Sequence, residues 1–288
     1  MKKGTKTQLI LIGAVLLTAL MLGCCQKQEQ SGTQHSTYQQ VLVAKRITVG
    51  YISYPPSFIK DPNSGSYSGI FHEVLQKVGE KLELQIEYKE ELGWGTMIEA
   101  IKSGRVDLVC TGVWPTTERG KFVDFTRPIY YSTVRAYTRD QDNRFDTHLE
   151  NINSQNVKIA SLDGEMTSII ARLDFPNAKE TSLPQTSDIS QVLLEVSSGK
   201  ADVTFAEPAV ALEFIHNNPG KIKEVKGVKP LRVFPNVMIV GKGEVEFLST
   251  LNIALDELIN NGFVDKVINK YEHFPHSFQR VALPYLPE

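Results

Sequence analysis

At 288 residues the chain can bury a full core in one or two domains. Its formal charge of −2 and 41% hydrophobic content describe an ordinary soluble protein and exclude the basic footprint of a nucleic-acid binder. It carries no Walker A loop, no G-x-S-x-G elbow, no C-x-x-C and no G-x-G-x-x-G, and its six His stand in no metal-binding spacing, so no cofactor or metal is expected.

Lys2 and Lys3 precede an apolar run from Leu9 to Leu22, too short for a comfortable membrane span and suited to a secretory signal. Met21-Leu22-Gly23-Cys24 resembles a bacterial lipobox, which makes 1–24 a lipoprotein signal peptide and Cys24 a lipidation site. The expected location is therefore extracytoplasmic, lipid-anchored to the cell membrane or in the periplasm. An ordinary cleaved signal that happens to hold a Cys is the other reading, and Cys25 is either a bystander or a second acylation site. Cys110 alone remains for the folded body, as an apolar-flanked packing residue. Gln, Ser and Thr dominate the following stretch, so 25–44 reads as a flexible tether and the fold begins near Lys45.

Arg46–Ile52 is a strand, with Tyr54-Pro55-Pro56-Ser57-Phe58 leaving its carboxyl end. A helix opens at Tyr67–Val74 with Ile70, Val74, Leu75 and Val78 on one face, and Leu84–Tyr88 is the next strand. Trp94, Met97, Ile98 and Ile101 at i, i+3, i+4, i+7 predict a helix stopped by Ser103-Gly104. Val106–Cys110 then reads as a buried strand of an α/β sheet. Past its end runs Thr111-Gly112-Val113-Trp114-Pro115-Thr116-Thr117-Glu118-Arg119. Crevices outside the carboxyl ends of strands are where open α/β sheets bind ligands. Arg119 there offers a planar fork suited to a carboxylate, and Thr hydroxyls and backbone N–H groups add donors. The competing reading is a surface loop with a solvated Arg.

Ser132–Thr138 is a strand, Arg139–Asn156 is polar, and Val157–Ser161 starts a second unit whose loop Asp163-Gly164-Glu165-Met166 leads into a helix near Thr167. Such a loop presents free N–H groups to an anion. A helix over 188–199, with Ile189, Val192, Leu193 and Val196 on one face, ends in Ser198-Gly199-Lys200-Ala201-Asp202. This echoes Ser103-Gly104-Arg105-Val106-Asp107 and suggests two lobes built on one grammar. Thr204-Phe205-Ala206-Glu207-Pro208 is again a strand's carboxyl end, and Lys221–Lys229 reads as a solvated basic face. Val237–Val240 returns to the first lobe, followed by a helix over 246–261 with Phe247, Leu251, Ile253, Ala254, Leu258 and Ile259 as its apolar set, and a last helix Phe263–Tyr271. Crossings near Ser132–Tyr137 and Asn236–Ile239 would form a two-strand hinge.

Gly112, Thr116-Thr117-Glu118-Arg119-Gly120-Lys121, Val123-Asp124-Phe125-Thr126, Pro128 and Tyr130-Tyr131 resemble the signature of the amino-acid-type extracellular solute-binding proteins of ABC importers, family 3. Val49-Gly50 and Tyr54-Pro55-Pro56 resemble the family's first motif, and the likeness extends weakly over roughly 45 to 273. The resemblance implies an α/β, two-lobed periplasmic-binding-protein-like fold (type II), with the ligand cleft between lobes and a two-strand hinge. Lobe 1 would be 45–132 with 238–288, and lobe 2 would be 133–237. It further implies a monomeric, non-enzymatic receptor that captures an amino acid or similar small zwitterion for a membrane ABC permease.

By resemblance Arg119 grips the ligand's carboxylate, Glu207 stands where relatives place an Asp for the ammonium, and Tyr54, Trp94 and Trp114 face the side chain, with Thr111, Gly112, Gly164 and Met166 completing the site. Trp94 and Tyr54 could equally be packing residues, and Glu207 a helix-start carboxylate before Pro208. Two departures stand out. Relatives carry G-T-T or G-S-T where this chain reads Gly164-Glu165-Met166, keeping a hydroxyl only at Thr167, and Ile52 replaces an acid used by binders of cationic ligands. An uncharged, apolar or aromatic ligand is therefore expected over Lys or Arg, and a cation–π cage for a quaternary ammonium also fits. The alternatives are a cyclohexadienyl-dehydratase-like enzyme using Glu207 or Glu165 as acid, and a sensor lobe acting through a partner chain.

Overall fold

The computed structural model describes residues 36–282; the expected signal segment, Cys24, Cys25 and residues 26–35 of the expected tether lie outside the described residues. The chain begins with α1 (Thr37–Ala44), β1 (Arg46–Tyr51), β2 (Ile59–Lys60), β3 (Tyr67–Ser68), α2 (Ile70–Leu82), β4 (Gln85–Glu91), α3 (Met97–Lys102) and β5 (Leu108–Val113). It continues through β6 (Val123–Phe125), β7 (Tyr130–Arg139), β8 (Lys158–Leu162), α4 (Met166–Asp174), β9 (Lys179–Leu183), α5 (Ile189–Ser197), β10 (Val203–Ala206) and α6 (Pro208–Asn217). It closes with β11 (Ile222–Glu224), β12 (Arg232–Gly241), α7 (Val245–Asn260), α8 (Phe263–Tyr271) and β13 (Gln279–Arg280).

Residues 37–44, read from composition as the end of the tether, are helical. The Ser36 hydroxyl caps α1 by accepting from the Gln39 amide. Tyr38 stacks on Phe247, Val41 is buried, and Thr37 Oγ1 donates to Glu244 at 2.6 Å. Two apolar residues at i, i+3 suffice to dock the helix on α7, and an average over the polar stretch conceals them.

Strands run in the order β4-β1-β5-β12-β7-β10-β8-β9. β4, β1 and β5 are parallel, as are β10, β8 and β9; the inner strands β1, β5, β8 and β10 carry the buried apolar runs of strands covered on both faces, whereas β4 and β9, at the two ends of the order, alternate with exposed polar residues. The two halves meet in β7 and β12. Arg232–Asn236 of β12 pairs antiparallel with Tyr130–Val134 of β7. Beyond that ladder, β12 pairs with β5 and β6, and β7 pairs with β10 and β11. These strands form the two-strand hinge. One half packs Phe71, Val74, Leu75 and Val78 of α2 against Leu251, Leu255 and Leu258 of α7. Each such side chain contributes about 1.5–3 kcal/mol by leaving water. The other half closes around Phe145, Ile159, Ile170 and Phe205.

The repeated Ser-Gly-basic-x-Asp segment does one mechanical task twice. Gly104 and Gly199 turn the chain at φ 67° and 78°, positions that favour a residue without Cβ. Asp107 then accepts the Thr48 amide at 2.8 Å and returns its own N–H to Thr48 O. Asp202 accepts the Lys158 amide at 2.9 Å and returns its own N–H to Lys158 O. Each aspartate, one residue before its own strand, ties that strand's start to the neighbouring parallel strand.

Several boundaries differ from the sequence reading. β5 runs on through Thr111 and Gly112 to Val113, because β12 supplies a partner (Val237 opposite Val113) after β1 has ended. Trp94 lies in a turn before α3 rather than in the helix; Gly93 and Gly95 flank it, and Thr96 N bonds Gly93 O. Ile253 is 67% exposed, whereas Leu255 is buried, since 251, 254, 255 and 258 form the stripe at helical spacing. The basic segment over 221–229 is partly internal: β11 pairs with β7, Ile222 and Val225 are buried, and Lys223 bonds Asp146 at 2.8 Å.

Candidate ligand-binding site

The carboxyl ends of β1, β5, β8 and β10 converge where the two halves face one another. On the first side, Gly112 leaves no room for a side chain: an added Cβ would sit 2.6 Å from Asn236 Oδ1 and 3.0 Å from Ser57 Oγ. Trp114 follows, its indole N–H donating to Asn236 Oδ1 at 2.9 Å and its ring stacked on Phe234 at 4.7 Å and 8°. Asn236 Nδ2 donates in turn to Ser132 Oγ at 2.7 Å, so the hinge strands hold the indole in place. Arg119 sits on a single 3₁₀ turn (Arg119–Lys121) and is only 8% exposed. Its guanidinium donates to Trp114 O at 2.8 Å and, across the cleft, to Gly164 O at 3.3 Å. Burial draws the Arg119 pKa down and the charge of Glu165 opposes this, though among the described residues Arg119 makes no direct ion pair. Tyr54 and Trp94 meet edge to face at 5.5 Å.

On the second side, Gly164 (φ 74°) turns the chain from β8 into α4. Glu165 is the N-cap of α4, and its Oε2 accepts both the Thr167 amide and the Thr167 hydroxyl at 2.7 Å. Burial raises the Glu165 pKa, while the Thr167 bonds and the Arg119 charge pull it back. Glu207 stands at the end of β10 as the N-cap residue of α6, with Pro208 fixing the first turn, yet its side chain does not cap the helix. It is 2% exposed, and its carboxyl is pushed up to about 8, chiefly by burial and further by Glu165, with Ser132 and Trp114 opposing. Tyr54 is raised first by burial and then by the charges of Glu207 and Glu165.

The structure brings Tyr54, Trp94, Gly112, Trp114, Arg119, Met166 and Glu207 around one small, nearly closed cavity of about 10 Å³. Gly164 contributes its carbonyl beside it. Thr111 is not brought to the cavity; it is fully buried in β5 with its hydroxyl unpartnered. The Thr167 hydroxyl is consumed by Glu165 and by the Leu162 amide. Glu165, read from sequence only as a candidate acid, lines the cavity with the rest. The supporting pair Ser132 and Asn236 was not anticipated; the signal available was an Asn at the head of the apolar run Val237–Val240. A second space of about 180 Å³ adjoins through Tyr54 and Trp94 and reaches Ile52, Gln185 and Asp188. At its rim the Gly95 amide donates to Gln185 across the cleft at 2.8 Å. Chemically, this is an enclosed, aromatic-walled site with two carboxyls on one side and one guanidinium on the other.

Residues 47–274 match the family described as bacterial extracellular solute-binding proteins, family 3. A probable histidine-binding protein of Campylobacter jejuni is 24% identical over 258 residues, covering 90% of this chain and 96% of its own. A probable amino-acid ABC transporter-binding protein of Haemophilus influenzae is 24% identical over 229 residues, 77% of this chain and 83% of its own. Among solved structures, an ancestral amino acid-binding protein described as a precursor of cyclohexadienyl dehydratase superposes with a TM-score of 0.71 at 25% identity, over 82% of this chain and 99% of that one. The architecture is the two-lobed type II fold of periplasmic amino-acid-binding proteins.

Proposed function

The chain belongs to the bacterial extracellular solute-binding proteins, family 3, and from that premise we propose that it captures a small amine-bearing solute, an amino acid or a relative of one, outside the cytoplasm and delivers it to an ABC permease. The supporting observation is Glu207: a buried carboxyl that makes no ion pair among the described residues, placed where the lobes meet and lining the cavity with Tyr54, Trp94 and Trp114. A buried carboxylate is costly without a partner, and an ammonium arriving in the cleft supplies one. In this reading Glu207 takes the amine and the three aromatic residues cover the ligand's carbon skeleton. Residues 45–132 with 238–288 would form one lobe and 133–237 the other, closing on the β7–β12 hinge. Cys24, acylated, would hold this monomeric receptor at the membrane, with the residues before α1 as spacer.

A second reading rests on the same carboxyl. A group held near pH 8 keeps a proton at neutrality that it could donate to a leaving group, and one structural relative is described as a precursor of a dehydratase. Recovering the ligand after incubation separates the two: a receptor returns it with unchanged mass, an enzyme does not. The function itself is tested by thermal-shift screening of the chain against amino acids and small amines. A ligand at about a hundred times its Kd adds roughly 2.7 kcal/mol. Silence across both classes would overturn the reading.

A further inference from the structure

Resting on that reading, the geometry points to a narrower ligand class: we propose that Glu165 occupies the anion position of the cleft from within, so that the site takes small organic cations without a carboxylate. A helix N-terminus attracts an anion through its unpaired N–H groups. At α4 that position is already filled, because the Glu165 carboxylate accepts the Thr167 amide and hydroxyl at 2.7 Å each and is 4% exposed. The facing guanidinium of Arg119 spends donors on two backbone carbonyls, those of Trp114 and Gly164. A ligand carboxylate entering here would lie beside a buried carboxylate and find the helix donors taken.

The charge inventory agrees. The cavity lining holds one cation, Arg119, and two carboxyls, Glu165 and Glu207. A zwitterion adds no net charge and leaves the enclosed site with an uncompensated negative charge or an extra proton. A monocation at Glu207 brings the sum to neutrality, which matters most where water is excluded. Tyr54, Trp94 and Trp114 present π faces and edges suited to a cation's hydrocarbon shell. Arg119 is thereby a counter-charge that makes Glu165 tolerable rather than a ligand clamp.

Matched pairs of a monocation and a zwitterion that differ only in the carboxylate test this: phenethylamine with phenylalanine, tyramine with tyrosine, histamine with histidine. Titrated against the full chain, at least one amine is expected to bind about tenfold or more tighter than its amino acid. Glu165→Ala, which leaves the Thr167 amide and hydroxyl without their acceptor, should narrow or reverse that preference. Glu165→Gln keeps the shape and removes the charge, and should weaken the amine. Tighter binding of the amino acid in every pair that binds would overturn the inference while leaving the receptor reading intact; no binding by either class would overturn both. Unchanged affinities in a folded Glu165→Gln would refute the role given to Glu165.

Discussion

Replacing Glu207 by Gln removes a titration while keeping the side chain's size. In the folded, empty protein this carboxyl is held at about 8, against 4.5 for an ordinary Glu. The folded state thus keeps a proton that the unfolded chain releases above about pH 4.5, so stability falls as pH rises towards 8 and levels off beyond. The slope inside that window is about 1.36 kcal/mol per pH unit for one group. Between about pH 5.5 and 7.5 the wild type should lose about 2.5 kcal/mol that Glu207→Gln does not lose. For a chain of this length that difference moves the melting midpoint by roughly 5–10 °C. Asp107, also raised by burial but not lining the cavity, titrates in both proteins and cancels in the comparison. The assay is calorimetric melting of both proteins, without ligand, across that range. Parallel profiles would refute the claim that Glu207 is an unpaired, desolvated acid.

Two further substitutions probe the frame around it. Trp114→Phe keeps the ring against Phe234 but strips Asn236 Oδ1 of its donor; leaving that buried acceptor unmet should cost about 1–3 kcal/mol in urea unfolding, and a loss under about 0.5 kcal/mol would contradict the bond's structural role. At Gly164 the backbone lies at φ 74° and a Cβ would come within 3.0 Å of the Gly95 amide across the cleft. Gly164→Ala should therefore cost the empty chain about 1–2 kcal/mol through the positive φ and, beyond that, weaken ligand binding about tenfold by opposing closure, and full affinity by titration calorimetry would sink that account.

How much of this was legible follows from how far apart the cooperating residues lie. Arg119, Glu207 and Tyr54 each follow a strand in sequence, so the rule that ligands gather at strand carboxyl ends is enough to nominate them. The echo of Asp107 in Asp202 was readable as a repeated phrase, and the structure adds its meaning: each accepts a backbone amide of the neighbouring parallel strand. The network of Ser132, Trp114 and Asn236 was not readable, because the Trp114–Asn236 and Ser132–Asn236 bonds span 122 and 104 residues and depend on the register of β7 against β12. Ile52 illustrates a local reading that a distant residue complicates. The lack of an acid there argued against cationic ligands, yet Glu165 brings an acid to the cavity from the other lobe. The Thr two positions after Glu165 was the clue that this carboxylate would turn inward as a cap.

The most direct measurement titrates the full chain and its Glu207→Gln variant with whichever amine gives the largest thermal shift, using Glu213→Gln as a control outside the cavity. The account predicts roughly thirtyfold weaker binding or more for Glu207→Gln, and wild-type affinity for the control. Equal affinity in all three proteins would contradict it, because the ligand's amine would then have no partner in Glu207.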